Sequence, residues 1–130
     1  QGIHLTADLF QCACVRDLLV DRGVLQEACI RLVRGAGLTV VGDDFHQFAN
    51  FEDQPGGVTG LVLLAESHLA VHTWPELNAV TLDVYVCNFK HDNTSKAQAL
   101  TDALVELFVP ERSNRNRVQR GVPCAPETPD

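Results

Sequence analysis

Eleven consecutive residues, Glu66-Ser67-His68-Leu69-Ala70-Val71-His72-Thr73-Trp74-Pro75-Glu76, put two carboxylates, two hydroxyls, two imidazoles and an indole in the middle of a 130-residue chain. They follow directly on the apolar run Leu61-Val62-Leu63-Leu64-Ala65. Two familiar chemistries can be tested on these residues at once. His68 and His72 have the i, i+4 spacing that lets a zincin helix aim two imidazoles at one zinc. The residues between them are Leu-Ala-Val, with no glutamate base, and the alternation ending in Trp74-Pro75 favours a strand. Strand positions four apart are about 13 Å apart and cannot share one ion, so no metal site is expected. A serine hydrolase fares no better. There is no G-x-S-x-G elbow, and Ser67 follows Glu66 instead of sitting at a strand-to-helix turn.

The elements that must position these residues can be read from periodicity. Gly2 to Phe10 alternates as a strand with Ile3, Leu5, Ala7 and Leu9 on one face. Arg16 to Arg34 carries Leu18, Leu19, Leu25, Ala28, Cys29, Leu32 and Val33 mostly at helical spacing, with Gly23 inside its first turns and Gly35 and Gly37 at its end. Leu38 to Asp44 reads as a short strand, Phe45 to Gly57 as a loop, and Val58 to Ala65 as a buried strand. His68 to Trp74 and Val80 to Cys87 alternate on either side of a hairpin loop, Pro75 to Ala79. A hairpin centred on Leu77 sets Cys87 directly opposite Ser67. Asn93 or Thr94 caps a second helix that runs to about Val109, where Pro110 stops it. Arg115 to Arg120 adds at most a short strand, and Val122 to Asp130 is a Pro-rich tail.

This order predicts an α+β domain, a two-layer α/β sandwich with two helices on one face of a mainly antiparallel sheet. The open sheet face is expected to be apolar enough to dimerise against a second sheet.

Length allows one domain, and 45% hydrophobic residues exclude a disordered chain. No apolar run reaches membrane-spanning length, and no signal peptide is legible at the start. A formal net charge of −7 argues against a nucleic-acid partner and suits a small cationic one. The five cysteines form no C-x-x-C pair, which reads as reduced thiols in a cytoplasmic protein. Cys12, Cys14 and Cys29 read as small apolar residues, and His4, His46, His91 and Asp43-Asp44 take no catalytic role.

The string Glu66 to Glu76 resembles the short prokaryotic class of S-adenosylmethionine decarboxylases. Gly57-Val58-Thr59-Gly60, Leu82-Asp83-Val84-Tyr85-Val86-Cys87, Gly2-Ile3-His4-Leu5 and Phe45-His46-Gln47-Phe48 carry the same resemblance, with a fainter echo in Arg117-Val118-Gln119-Arg120-Gly121. It covers most of residues 2 to 121. The resemblance implies a single self-processing domain over residues 1–121, cut between Glu66 and Ser67 into pieces 1–66 and 67–130. Ser67 would become a pyruvoyl cofactor that forms a Schiff base with the substrate amine and takes up the electrons as carbon dioxide leaves. His72 then matches the processing base, Thr59 the position where relatives usually have a supporting serine, and Cys87 the catalytic acid. Phe48 and Trp74 match residues that flank adenine, and Glu76 the acid that holds the ribose hydroxyls. The bland readings of these residues are a backbone-bonded strand histidine, a buried thiol, core aromatics and a turn carboxylate. The implied activity yields the aminopropyl donor for spermidine synthesis, from a homodimer with its site between protomers. Two alternatives stand beside it. One is the same fold and cofactor acting on arginine or ornithine, favoured by an Ala49–Gly57 loop several residues longer than usual. The other is a non-processing homologue that binds a ligand or an active subunit, motivated by Thr59.

Overall fold

A computed structural model describes residues 1–121; the expected tail, 122–130, lies outside the described residues. Six strands, β1 (Gly2–Cys12), β2 (Val40–Gln47), β3 (Val58–Leu64), β4 (Ser67–Trp74), β5 (Ala79–Cys87) and β6 (Pro110–Arg120), form one sheet in the order β2-β3-β4-β5-β1-β6. Every pairing is antiparallel. Helices α1 (Asp17–Val20), α2 (Arg22–Gly35) and α3 (Thr94–Phe108) cover one face. The two-layer α+β architecture follows the hydrophobic pattern. Among the described residues no helix is long and apolar enough to cross a membrane.

The single first helix expected over 16–34 is two. Asp21 breaks it with an extended backbone (φ −119°, ψ 112°), and its carboxylate accepts hydrogen bonds from the Gly23 and Val24 N–H groups. This N-cap satisfies donors that would otherwise be orphaned. β2 starts two residues later than expected and runs on to Gln47, into the segment read as loop. β6 is eleven residues long where a short strand was expected. Its sequence, Glu111 to Arg120, has almost no apolar residues to alternate. It is held as an edge strand by β1, which offers backbone partners from Gly2 to Cys12.

Alternation decides what each sheet face meets. Ile3, Leu5, Ala7, Leu9, Val62, Leu64, Leu69, Val71, Leu82 and Val84 are buried beneath Leu25, Cys29 and Val33 of α2 and Leu100, Leu104 and Phe108 of α3. Gly60 belongs to this layer, and a Cβ there would fall 2.2 Å from the Phe45 ring of the neighbouring strand. Only glycine admits that ring, which fixes β2 against β3 beside Thr59.

The uncovered face is less apolar than expected. Leu61 and Leu63 are exposed on β3, but the centre is mostly polar, because the alternate positions of β1, β4 and β5 there are His, Thr, Asp and Tyr, with Ala70 among them. Arg120 donates to His4 Nδ1 at 3.3 Å, so the other imidazole nitrogen, Nε2, carries the proton and donates to Asp83 at 3.1 Å. The Tyr85 ring stacks on His68, with ring centres 5.7 Å apart.

Candidate active site

The β4–β5 hairpin differs from expectation by one residue. His68 lies opposite Tyr85, Thr73 opposite Val80 and Trp74 opposite Ala79. The loop is four residues long, not five. Pro75–Leu77 forms one 3-10 turn closed by Asn78 N–H to Pro75 O, and Asn78 adopts the left-handed conformation (φ 50°). Asparagine tolerates that conformation better than most residues, and the reversal it completes lets Ala79 begin β5. Cys87 is therefore not directly opposite Ser67.

The two residues meet all the same. The Cys87 N–H donates to Ser67 Oγ at 3.0 Å. Leu64 pairs with Ser67 across the β3–β4 hairpin, so Ala65 and Glu66 make a two-residue turn. Glu66 occupies positive φ (61°) there, without the freedom of a glycine. Left-handed backbone at such a residue costs of order 1 kcal/mol or more, and it is stored at the peptide preceding Ser67. Cys87 is itself held by Asn93, whose Nδ2 donates to the Cys87 carbonyl at 2.9 Å. This is why Asn93, at the N-cap position of α3, makes no side-chain cap bond; Asp92 instead accepts from Thr94 N–H at 3.0 Å.

A second cluster forms at the other end of β4. Thr59 lies opposite His72 on β3, and the Thr59 hydroxyl and His72 Nδ1 are 3.1 Å apart. These two residues, with Phe48, Trp74 and Glu76, line a cavity of about 400 Å³. Phe48 and Trp74 are 49% and 44% exposed, so neither is a core aromatic. The structure thus sorts the residues singled out from the sequence into two groups: Glu66, Ser67 and Cys87 in one, and Phe48, Thr59, His72, Trp74 and Glu76 in the other. Five strand positions separate Ser67 from His72, about 16 Å at strand rise.

Several positioning residues carry no sequence signal. Thr73 looks like filler in the string, yet it is buried. Its hydroxyl donates to Leu19 O at 2.7 Å and accepts from Val58 N–H at 2.8 Å, tying α1 and β3 to β4 between His72 and Trp74. Arg16 donates to Pro75 O at 3.1 Å and Asn78 Oδ1 at 2.8 Å, bracing the turn that carries Glu76. Both act over long sequence separations, which periodicity does not reveal. The packing thiols behave as read: burial pushes Cys29 up to about 12, and burial, with Cys14 beside it, pushes Cys12 up to about 11. Among the described residues no three His, Cys, Asp or Glu side chains cluster as a metal site.

Known proteins share this sequence and this fold. A family model described as S-adenosylmethionine decarboxylase matches residues 3–121. The S-adenosylmethionine decarboxylase proenzyme of Aquifex aeolicus is 36% identical over 122 residues, covering 93% of this chain and 82% of the relative. The proenzyme of Archaeoglobus fulgidus is 36% identical over 120 residues, 92% of this chain and 97% of the relative. The crystal structure of the Aquifex aeolicus adenosylmethionine decarboxylase superposes with a TM-score of 0.81 at 32% identity, covering 99% of this chain and 96% of that one. With its fold and nearly its whole length matched, this chain belongs to the S-adenosylmethionine decarboxylase family.

Proposed function

We propose that the chain is a self-cleaving, pyruvoyl-dependent decarboxylase of S-adenosylmethionine, acting as a homodimer with each site shared between two copies. The observation that carries this reading is the Glu66–Ser67 junction. A residue at positive φ precedes a serine whose Oγ rests on the Cys87 N–H.

These residues fit a cofactor made in place. Ser67 Oγ attacks the Glu66 carbonyl carbon, giving an ester and freeing the Ser67 amine. Loss of the Ser67 Cα proton then expels the Glu66 carboxylate by breaking the Cβ–Oγ bond. Tautomerisation and attack by water release ammonia and leave a pyruvoyl group on the piece beginning at residue 67. Release of the turn at Glu66 favours the cut. The base is His72. If its Nδ1–H donates to Thr59, Nε2 keeps its lone pair for the proton. Along one β4 strand His72 is about 16 Å from Ser67, so the imidazole that serves Ser67 comes from the second copy. This supports the shared site more strongly than the open sheet face, whose centre is mostly polar.

The pyruvoyl group supplies the electron sink for loss of carbon dioxide. The chain's own residues do the rest. Cys87, beside the cut, delivers the proton to the carbon that lost its carboxylate. Phe48 and Trp74 hold the purine, and Glu76 accepts from the ribose hydroxyls. The net charge of −7 suits a sulfonium substrate. An aromatic-lined cavity supports a nucleoside over ornithine, which has no flat face to stack, and over arginine, whose one flat face is the small guanidinium. Thr59 keeps a hydroxyl on His72, which favours a processing chain over a non-processing homologue.

A denaturing gel tests the cut: two pieces ending and beginning at 66 and 67 are expected, and none from Ser67→Ala. Reduction with cyanoborohydride in the presence of S-adenosylmethionine, arginine or ornithine tests the substrate. The mass gained by the C-terminal piece should be that of the decarboxylated nucleoside amine less the one oxygen lost in forming the reduced Schiff base; a gain from arginine or ornithine alone would reject this reading.

A further inference from the structure

The segment joining β2 to β3 is built more firmly than a loop. Phe51 N–H donates to Gln54 O and Gln54 N–H to Phe51 O, each at 2.9 Å. These bonds close Glu52 and Asp53 into a two-residue turn, with φ of 50° and 68°. Two successive positive φ values mark the tight turn of a β-hairpin, normally made by Asn-Gly or Asp-Gly. The base is fastened as well. Phe48 N–H donates to Gly57 O at 2.9 Å, Gln47 Nε2 to Gly56 O at 3.2 Å and Gly56 N–H to Asn50 Oδ1 at 3.3 Å. A Cβ on Gly56 would fall 2.3 Å from the Phe48 carbonyl oxygen, so the chain folds back at a distance only glycine permits.

What this miniature hairpin displays is Phe51. The residue is 73% exposed, so it contributes little to the core, yet it lines the same cavity as Phe48, His72, Trp74 and Glu76. An exposed phenyl ring on a closed hairpin at the mouth of a cavity is placed for a ligand. We infer that Phe51 is a specificity-determining residue, a third aromatic wall that packs on the nucleoside of the substrate. The inference rests on the reading of this cavity as the nucleoside half of the site. It also assigns a task to the extra residues of the Ala49–Gly57 loop: they carry a ring to a substrate that has a flat apolar face.

Trp74 is the only tryptophan in the sequence and lines this cavity, so its fluorescence reports occupancy. The probe is 5′-methylthioadenosine, which has the nucleoside but no amine to react. Phe51→Ala should weaken its binding about three- to tenfold and raise the KM for S-adenosylmethionine by the same factor. The rate of self-cleavage and kcat should stay as in the parent, and Phe51→Tyr should restore affinity. Unchanged nucleoside binding in Phe51→Ala would overturn the inference, as would a common loss of cleavage and kcat, which marks a merely structural loop. A parent protein that neither responds to the nucleoside nor decarboxylates S-adenosylmethionine would instead bring down the underlying reading.

Discussion

The hydroxyl that touches His72 belongs to a threonine, whose added methyl restricts χ1 but whose oxygen still sits 3.1 Å from Nδ1. If that contact orients the imidazole for the cut, Thr59→Val, which keeps the shape and loses the hydroxyl, should slow self-cleavage about tenfold. Thr59→Ser should stay near the parent rate. A gel time course after rapid refolding reads both. Cys29 tests a different property, the proton inventory of the core. Its thiol is held neutral up to about 12 by burial, against 9.0 for a free thiol. Below pH 9 both the folded and the unfolded chain keep this proton and stability is indifferent to it. Above pH 9 the unfolded chain releases it first, so stability falls as pH rises toward 12. Urea midpoints at pH 8 and pH 10.5 should show the drop, and Cys29→Ala should lessen it. At this scale the chemistry-bearing side chains were legible as types in a string. Thr73, Arg16 and Asn93 were not, because their partners are set by tertiary contacts (Leu19 O, Pro75 O and Cys87 O) that no local pattern encodes.

Among the elements, the Pro75–Asn78 turn matters most, since it sets the β4–β5 register and carries Glu76. Arg16 braces it from the segment before α1. If Glu76 holds the substrate and the chain cuts itself as proposed, Arg16→Ala should raise KM several-fold through a loosened Glu76 while leaving cleavage at Glu66–Ser67 intact, as steady-state kinetics beside a gel would show. Strands with one apolar face, β1, β4 and β5, were readable because burial of that face writes alternation into the sequence, and β3 was readable as a short, continuous apolar run. The one-residue register error arose because a left-handed asparagine shortens the loop, a backbone choice that spacing alone does not express. The first half of β6, before Arg115, escaped for the opposite reason. An edge strand held by main-chain bonds needs no hydrophobic pattern, and its residues have none.

At the level of the molecule, the separation of the two clusters along β4 has a direct consequence for genetics in a test tube. If His72 serves the Ser67 of the other copy, Ser67→Ala and His72→Ala chains should each fail to cleave alone. Co-expressed with different tags, they should yield cleavage of the His72→Ala chain, because its intact serine meets an intact imidazole across the interface. Silence in the mixture would place both residues in one copy.

The strand order holds one more consequence. A cut after Glu66 leaves β1, β2 and β3 in the first piece and β4, β5 and β6 in the second, yet the sheet runs β2-β3-β4-β5-β1-β6. Three of its five seams, β3 to β4, β5 to β1 and β1 to β6, then join different polypeptides. A chain cut there would be a weave whose halves cannot drift apart without unpicking the sheet. Its pieces should co-elute on size exclusion in native buffer and part only in denaturant. Once parted, they should re-form at a rate that depends on concentration, so the proposed cut would turn a chain that refolds alone into one that must meet its other half.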